Sequence, residues 1–397
     1  MNQGDLWHVE QERDFVSLAG DGIEKELYPS GKKGIWSISE GEAESGTYTT
    51  PSRLGEPWIS HLTGFITGAF GNHERTYAER TSLLLTNGRE EAVELLFEEL
   101  LKPGETVLTE TPVSPVVLAA LLRRQVKVIQ AGCDAEGMLS DEWRSRIAMH
   151  KPVLIYITPD CSDTVGSSWS VERRREIVEI AGQADIWLLS DRSSAEAPFA
   201  AEPVELGREE CSLYEIGRDQ GFGGRIAELV SLDGHGIQAG WIRANEALIQ
   251  RLKEAREGRG SAEGISCPAG ASAQMLVRPG FSWPEHAAAL NREYAARRAE
   301  ALAVLAGSRA LGAACQHAAG RGRFLWAELP TGMDSAALLR AARLKGAAFL
   351  PGARCYAGAG NPRTLRLSLA EQSRPRLRLG LQRICDAAEE FTARWEG

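Results

Sequence analysis

Six side chains able to do chemistry follow short apolar runs: Asp160, Cys161, Asp163, Asp191, Arg192 and His235. Open α/β sheets bind ligands outside the carboxyl ends of their strands, so this placement makes all six candidate cleft residues. A Cys161–His235 pair would be a thiolate site, and His235 by itself a general base. Nothing in their spacing selects either role over satisfied loop residues. The remaining histidines, His8, His61, His73, His150, His286 and His317, show no metal-ligand spacing. Gly88-Arg89-Glu90 opens a helical pattern, where free N–H groups and the helix dipole favour an anion. Glu90 and Glu91 stand in that first turn and would compete for the same field. One reactive group is missing over a long stretch: no lysine lies between Lys151 and Lys253, a gap of 101 residues. Imine chemistry needs such an amine, and the middle of the chain supplies none. The glycines of Gly221–Gly224 are a weak phosphate signal, because no helix and acidic partner follow them.

The elements that would position these groups are legible from residue 88 onward. Apolar residues at 92, 93, 95, 96, 97, 100 and 101 predict a helix from Arg89 to Leu101, with Asn87 as N-cap and Lys102-Pro103-Gly104 as its stop. Short apolar runs follow at Thr106–Leu108, Val126–Ile129, Val153–Ile157, Ile186–Leu189, Leu213–Ile216, Leu229–Leu232 and Trp241–Ile242. Helical stretches such as Ser114–Arg123 and Val171–Ala181 separate most of them. Continuous apolar strands alternating with helices predict a mostly parallel sheet covered on both faces. Beyond Gly258 the order changes to long helices at Trp283–Ala306, Ser335–Leu344 and Arg374–Trp395, with strands near 323–329, 347–350 and 364–369. The expected organisation is an N-terminal segment over 1–60, a large α/β domain over 61–258 and a smaller α+β domain over 265–397. The Gly258–Gly264 stretch is the expected connection.

Composition narrows the function classes. The 397 residues are 43% hydrophobic and 25% charged, ordinary for a soluble globular chain with a large core. A net charge of −9 with dispersed basic residues argues against nucleic-acid binding. No apolar run reaches the length of a membrane span, and Met1–Glu12 is too polar for a signal peptide. The seven cysteines lie far apart, which suits reduced thiols in the cytoplasm.

Several phrases at fixed order and distance carry a family resemblance. They are Thr86-Asn87-Gly88, Ile157-Thr158-Pro159, Gly240-Trp241-Ile242, Gly322-Arg323-Phe324-Leu325-Trp326-Ala327-Glu328-Leu329-Pro330 and Leu365-Arg366-Leu367-Ser368. In them the chain resembles the class I/II aminotransferases, pyridoxal-phosphate (PLP) enzymes of fold type I, particularly those for 2-aminoadipate and aromatic amino acids. The resemblance implies a mostly parallel seven-stranded sheet between helices, a smaller C-terminal α+β domain and a homodimer with the cleft at the subunit interface. It also implies a cofactor held as an imine on one lysine, whose amine moves the substrate proton.

The implied cofactor shell is largely replaced. The phosphate cradle falls on Gly88 and Arg89. The aromatic that stacks on the pyridine ring falls on Ser114, within Thr111-Pro112-Val113-Ser114-Pro115. The asparagine that bonds the ring's phenolic oxygen falls on Asp163, an acceptor-only group when ionised. Asp191 keeps the carboxylate for the pyridinium nitrogen, while Ser194 stands where a tyrosine is usual. An extra segment leaves two positions for the lysine. One is Gln220, with Arg225 as the phosphate-binding arginine; the other is Ser231, with Gln238 in the arginine's place. Neither glutamine nor serine forms an imine. Arg366 matches the arginine that grips the substrate carboxylate, and Tyr48 matches weakly a tyrosine lent across the dimer.

The expectation is therefore a pseudoenzyme of this family that binds an amino-acid or carboxylate ligand, or a protein partner, with PLP non-covalent at best. The alternative is an enzyme of amino-acid metabolism that uses the same cleft with non-lysine chemistry and His235 as base. A third route, a lysine reaching the site from Lys32, Lys33 or Lys345, would require a rearranged cleft.

Overall fold

The computed structural model describes residues 14–29, 82–193, 212–258, 276, 281–312 and 322–393. The chain opens with strand β1 (Val16–Leu18). Strand β2 (Leu83–Thr86) then leads into helix α1 (Arg89–Leu100). The helix starts at Gly88, whose φ of 90° suits glycine, rather than at Asn87. The Asn87 N–H instead donates to the Glu91 carboxylate at 2.6 Å, so one first-turn acid acts as a local cap. Ala92, Val93, Leu95, Leu96 and Phe97 are buried on α1, each of the larger ones worth about 1.5–3 kcal/mol of transfer free energy.

Strand β3 (Thr106–Glu110), helix α2 (Pro115–Arg123) and strand β4 (Lys127–Ala131) come next. Then follow helix α3 (Ser140–His150), strand β5 (Leu154–Ile157), helix α4 (Val171–Gln183) and strand β6 (Trp187–Asp191). Residues Leu213–Ile216 are not a strand, as their apolar run suggested, but the start of helix α5 (Leu213–Asp219). Ser212 decides it: its hydroxyl accepts the Glu215 N–H at 3.2 Å and caps the first turn. Strands β7 (Ile226–Ser231) and β8 (Gly240–Arg243) and helix α6 (Glu246–Gly258) complete the larger layer.

The seven strands are ordered β2-β8-β7-β6-β5-β3-β4, and only β8 runs antiparallel to its neighbours. All four residues of β5 are buried, as expected of a central strand covered on both faces. The period-2 alternation splits its side chains between two cores. Leu154 and Tyr156 join Leu95, Leu96, Val117 and Leu248 of α1, α2 and α6. Ile155 and Ile157 join Trp143, Ile177 and Leu213 of α3, α4 and α5.

A second layer holds helix α7 (Trp283–Ala306), strand β9 (Phe324–Glu328), helix α8 (Ser335–Leu344), strand β10 (Ala347–Pro351), strand β11 (Thr364–Ser368) and helix α9 (Arg374–Ala393). Its four-stranded sheet is ordered β1-β10-β11-β9, so residues 16–18 of the N-terminal segment form its edge. Val16, Leu18, Phe349, Leu367 and Leu381 lie in its core. Tyr48, Ser194, Lys32 and Lys33, with most of the Gly258–Gly264 stretch, lie outside the described residues.

Candidate functional site

The site grows from the carboxyl edge of the large sheet. Asp191 closes β6, Ser231 closes β7, and Asp163 lies in the loop after β5. Strand β2 runs parallel to β7 because both are antiparallel to β8. The N-terminus of α1 therefore emerges at that same edge.

Arg89, the first residue of α1, sits at the centre. Its Nε donates to Asp191 Oδ2 at 2.7 Å and its Nη2 donates to the Tyr156 hydroxyl at 3.0 Å. Its Nη1 forms an ion pair with Asp163 Oδ2. The Tyr156 hydroxyl in turn donates to Asp191 Oδ2, and Asp191 Oδ1 accepts the Ser193 N–H at 2.9 Å. Asp191 thus has both oxygens engaged. Asp163, only 3% exposed, has an ion-pair contact but no well-aligned hydrogen bond to either oxygen. Burial opposes the Arg89 charge, yet Asp163 and Asp191 outweigh it and raise the guanidinium's pKa. Burial also raises the Asp163 pKa; Arg89 pulls it down and Asp191 pushes it up. Desolvation pushes the Tyr156 phenol well above its usual range, so this hydroxyl stays protonated.

The N-terminus of α1 already carries an anion from the same chain. The Arg89 N–H donates to Asp233 Oδ2 at 2.9 Å, and the Asp233 N–H donates to Ser231 Oγ at 3.1 Å. Gly88 is required here for a second reason: a Cβ on it would run into the Asp233 carboxylate. Burial raises the Asp233 pKa, and the Arg89 amide and Ser231 partly offset this.

The second sheet contributes two cations. Arg366 on β11 is 1% exposed, stacks its guanidinium 4.0 Å from the Phe324 ring centroid and donates from Nη2 to Asp21 Oδ1 at 2.7 Å. Its Nη1 has no partner. Arg323 precedes β9, donates from Nη1 to the Asp21 carbonyl at 2.8 Å and leaves Nε unpartnered. Asp163 feels the charges of Arg323 and Asp21 as well as those of Arg89 and Asp191, which brings groups from both sheets to bear on one carboxylate.

Other residues singled out by sequence fall elsewhere. Gln220 is exposed at the C-cap of α5, and Arg225 pairs with Asp185 at 2.5 Å beside the start of β6. Both lie at the amino edge of the sheet, opposite Asp191, because Gly221–Gly224 is only the turn from α5 into β7. The Gln220–Arg225 placement is therefore not supported by position, while Ser231 lies at the carboxyl edge. Gln238 is exposed. Ser114 is buried at the head of α2, where the neighbouring Val113 N–H donates to the Cys355 carbonyl at 3.0 Å. His235 lies in the turn after Ser231, its ring centroid 5.2 Å from that of Trp283. Burial, with His286 and Arg323 nearby, pushes its pKa down to about 3. Asp160 bonds Arg174 and Arg192, each at 2.5 Å. Cys161 is buried in the same loop.

Six lysines lie within the described residues. Lys127 and Lys151 sit at the amino ends of β4 and β5, and Lys102 follows the far end of α1. Lys253 is on α6, Lys25 is exposed, and Lys345 pairs with Glu390. None of the six makes a hydrogen bond or ion pair with Asp163, Asp191 or Asp233.

Several site residues belong to none of the motifs. Tyr156 reads as one more apolar strand residue, Asp233 belongs to no motif, and Asp21 reaches Arg366 across 345 positions. Glu110 closes β3, accepts the Thr158 N–H at 3.1 Å and has its pKa raised by burial to about 7. A strand-terminal acid was the available clue for Glu110. A loop acid two residues beyond a strand was the clue for Asp233.

In the resembled family PLP would set its phosphate on the α1 amides, its ring nitrogen at Asp191 and its phenolic oxygen near Asp163. A phosphate there would meet the Asp233 carboxylate, and a pyridine ring would meet the Arg89 guanidinium between Asp163 and Asp191.

No family model matches the chain. It is 24% identical over 320 residues to an aromatic-amino-acid aminotransferase of Thermococcus litoralis, covering 78% of this chain and 73% of that protein. It is 25% identical over 319 residues to a 2-aminoadipate transaminase of Thermus thermophilus, covering 78% and 76%. Among solved structures, an α-aminoadipate aminotransferase of Thermus thermophilus, complexed with N-(5'-phosphopyridoxyl)-L-leucine, superposes with a TM-score of 0.76 at 21% identity over 98% of both chains. An archaeal alanine:glyoxylate aminotransferase gives 0.77 at 21% identity over 98% of this chain and 94% of that one. The chain thus has the fold type I architecture of PLP-dependent transferases, and its relatives and structural neighbours are class I/II aminotransferases.

Proposed function

We propose that this chain is an aminotransferase-like pseudoenzyme whose cleft binds an amino-acid or carboxylate ligand without covalent PLP. One observation carries the reading: the Arg89 guanidinium is lodged between Asp191 and Asp163, the two carboxylates that would flank the cofactor ring. Displacing Arg89 would take the shared cation from two buried acids, a loss of about 3–5 kcal/mol; a pyridinium nitrogen would answer Asp191 alone and set the phenolate oxygen against the Asp163 carboxylate. Asp233 on the α1 amides adds a second obstacle, since it repels a phosphate from the N–H groups of that turn. The residues present therefore do not fit the cofactor, and Ser231 at the carboxyl end of β7 supplies no amine.

Arg366 supports the ligand half of the proposal. Its buried, unpartnered Nη1 suits one oxygen of a carboxylate. The names of the relatives, aromatic-amino-acid and 2-aminoadipate aminotransferases, suggest the scale of ligand. A base with a pKa near 3 is too weak for proton abstraction at neutral pH, which counts against His235 as a catalytic group. A homodimer is carried over from the resemblance, and a cytoplasmic location from the widely spaced cysteines. Among the described residues no helix is long and apolar enough to cross a membrane.

An absorbance titration with PLP, followed by borohydride reduction and mass spectrometry, tests the proposal. The expected result is no saturable imine band and no lysine bearing a phosphopyridoxyl group. A stoichiometric adduct on one lysine would refute it.

A further inference from the structure

The segment after β1 carries a carboxylate to Arg366. Val16 and Leu18 are fully buried in the strand, whereas every residue from Ala19 to Tyr28 keeps part of its surface exposed. Such a segment opens at lower free energy than the core beneath it. Backbone contacts fasten it to the start of β9 and the end of β11. The Gly20 N–H donates to Glu371 Oε2 at 3.1 Å, the Asp21 carbonyl accepts from Arg323 Nη1 at 2.8 Å, and the Glu24 N–H donates to the Ala370 carbonyl at 2.7 Å. Glu24 also pairs with Arg297. The segment ends against the turn after β7, where a Cβ on Gly236 would lie 3.0 Å from the Tyr28 Cα. Residues 19–28 thus run from the smaller sheet to the larger one. Between the anchors, Asp21 Oδ1 accepts from Arg366 Nη2 at 2.7 Å. Glu371, a second acid beside that guanidinium, is held by the Gly20 amide.

The Asp21–Arg366 pair is lopsided. The Arg366 side chain is 2% exposed and that of Asp21 is 38% exposed. Water can solvate Asp21 when it swings away, but Arg366 left behind would be a buried, unpaired charge. The arginine therefore exchanges one carboxylate for another rather than standing bare. Asp21 also engages only one terminal nitrogen, and Nη1 stays unpartnered. A carboxylate from outside, seated on both Nη1 and Nη2, would make the forked pair that Asp21 does not. Asp21 holds the place because its tether keeps it at high effective concentration. We propose that residues 19–28 are an autoinhibitory strap. Asp21 is a built-in substitute for a ligand carboxylate on Arg366, and a ligand enters by displacing Asp21 and lifting the strap. This inference rests on the reading above that Arg366 receives the ligand's carboxylate.

Isothermal titration calorimetry of the full chain, with no cofactor added, tests the inference. The probes are glutarate, phenylacetate and L-2-aminoadipate. Asp21→Asn keeps the side chain's size and removes its charge, and it should tighten at least one probe tenfold or more. A gain of affinity is a result that a misfolded variant does not give. Hydrogen exchange on the wild-type chain supplies a second readout that needs no variant. Excess probe should speed exchange of the Gly20 and Glu24 amides at least tenfold. Unchanged or weaker binding of all three probes by folded Asp21→Asn would overturn the strap. So would unchanged or slower exchange at both amides in wild-type protein with excess probe. Probe binding that Arg366→Gln weakens and Asp21→Asn leaves unchanged would overturn the strap and preserve the ligand reading. None of these outcomes produces a phosphopyridoxyl-lysine, so failure here is distinct from failure of the pseudoenzyme reading.

Discussion

Two aspartates three positions apart in one loop, Asp163 buried and Asp160 partly so, have opposite environments. Asp160 is held by two guanidinium groups, Arg174 and Arg192, and Arg174 also donates to the carbonyls of Trp169 and Pro159. Burial alone would raise its pKa, but Arg192 and Arg174 hold it down at about 2. Asp163 shares the single Arg89 with Asp191, and its pKa moves up. The loop is the same and the residue type is the same; Asp160 has two guanidinium groups in direct contact, whereas Asp163 shares one with Asp191 and also feels Asp191 and Asp21 as like charges. Surplus positive charge marks a structural clamp.

The largest expected effect comes from removing the shared cation. Arg89→Ala leaves two carboxylates buried without a partner and should cost about 3–5 kcal/mol in urea unfolding. A cost below about 1 kcal/mol would mean that water already compensates these acids, and the contrast with Asp160 would vanish.

Glu110 sharpens the comparison because it has hydroxyl and amide partners and no cation. Its pKa is raised by burial to about 7, so the folded state favours its protonated form. Stability should be full below the ordinary glutamate range and fall by about 3 kcal/mol as pH rises through 7. Glu110→Gln should flatten that segment of the pH–stability curve. An unchanged slope would show that Glu110 ionises freely.

Asp160 gives the mirror-image slope. Its lowered pKa contributes stability above the ordinary aspartate range, and about 2 kcal/mol of it should disappear as pH falls through 2. Asp160→Asn should remove this acid limb and destabilise the protein at neutral pH. Asp163→Asn is the smallest effect and the sharpest discriminator. It removes a surplus charge and should be neutral or stabilising by up to about 1 kcal/mol. A loss as large as that of Asp160→Asn would put the two aspartates in one class.

The frame is far more legible in the sequence than the site. Trp283–Ala306 and Ser335–Leu344 show their observed limits there, because long periodic helices bounded by Ser282 and Asp334 caps announce themselves. Leu213–Ile216 misleads because four apolar residues suit a buried strand and a helix turn equally, and the deciding bond comes from Ser212. Side-chain chemistry favours Asn87 as the cap of α1, whereas the fold places Gly88 there to clear Asp233. Arg89, Asp163, Asp191 and Arg366 stand out by their places in motifs. Their partners Tyr156, Asp233 and Asp21 do not, since contacts over 35, 144 and 345 positions leave no local pattern. The Gly221–Gly224 run attracts the lysine position to Gln220, because a glycine-rich turn looks alike at either edge of a sheet.

Equilibrium dialysis of PLP against the wild-type chain tests the central claim most directly: the cleft's own Arg89 and Asp233 already hold the places of the cofactor's ring and phosphate. Weak, unsaturated retention at millimolar cofactor is the expected result. Saturable binding of one molecule per chain at micromolar cofactor would contradict it.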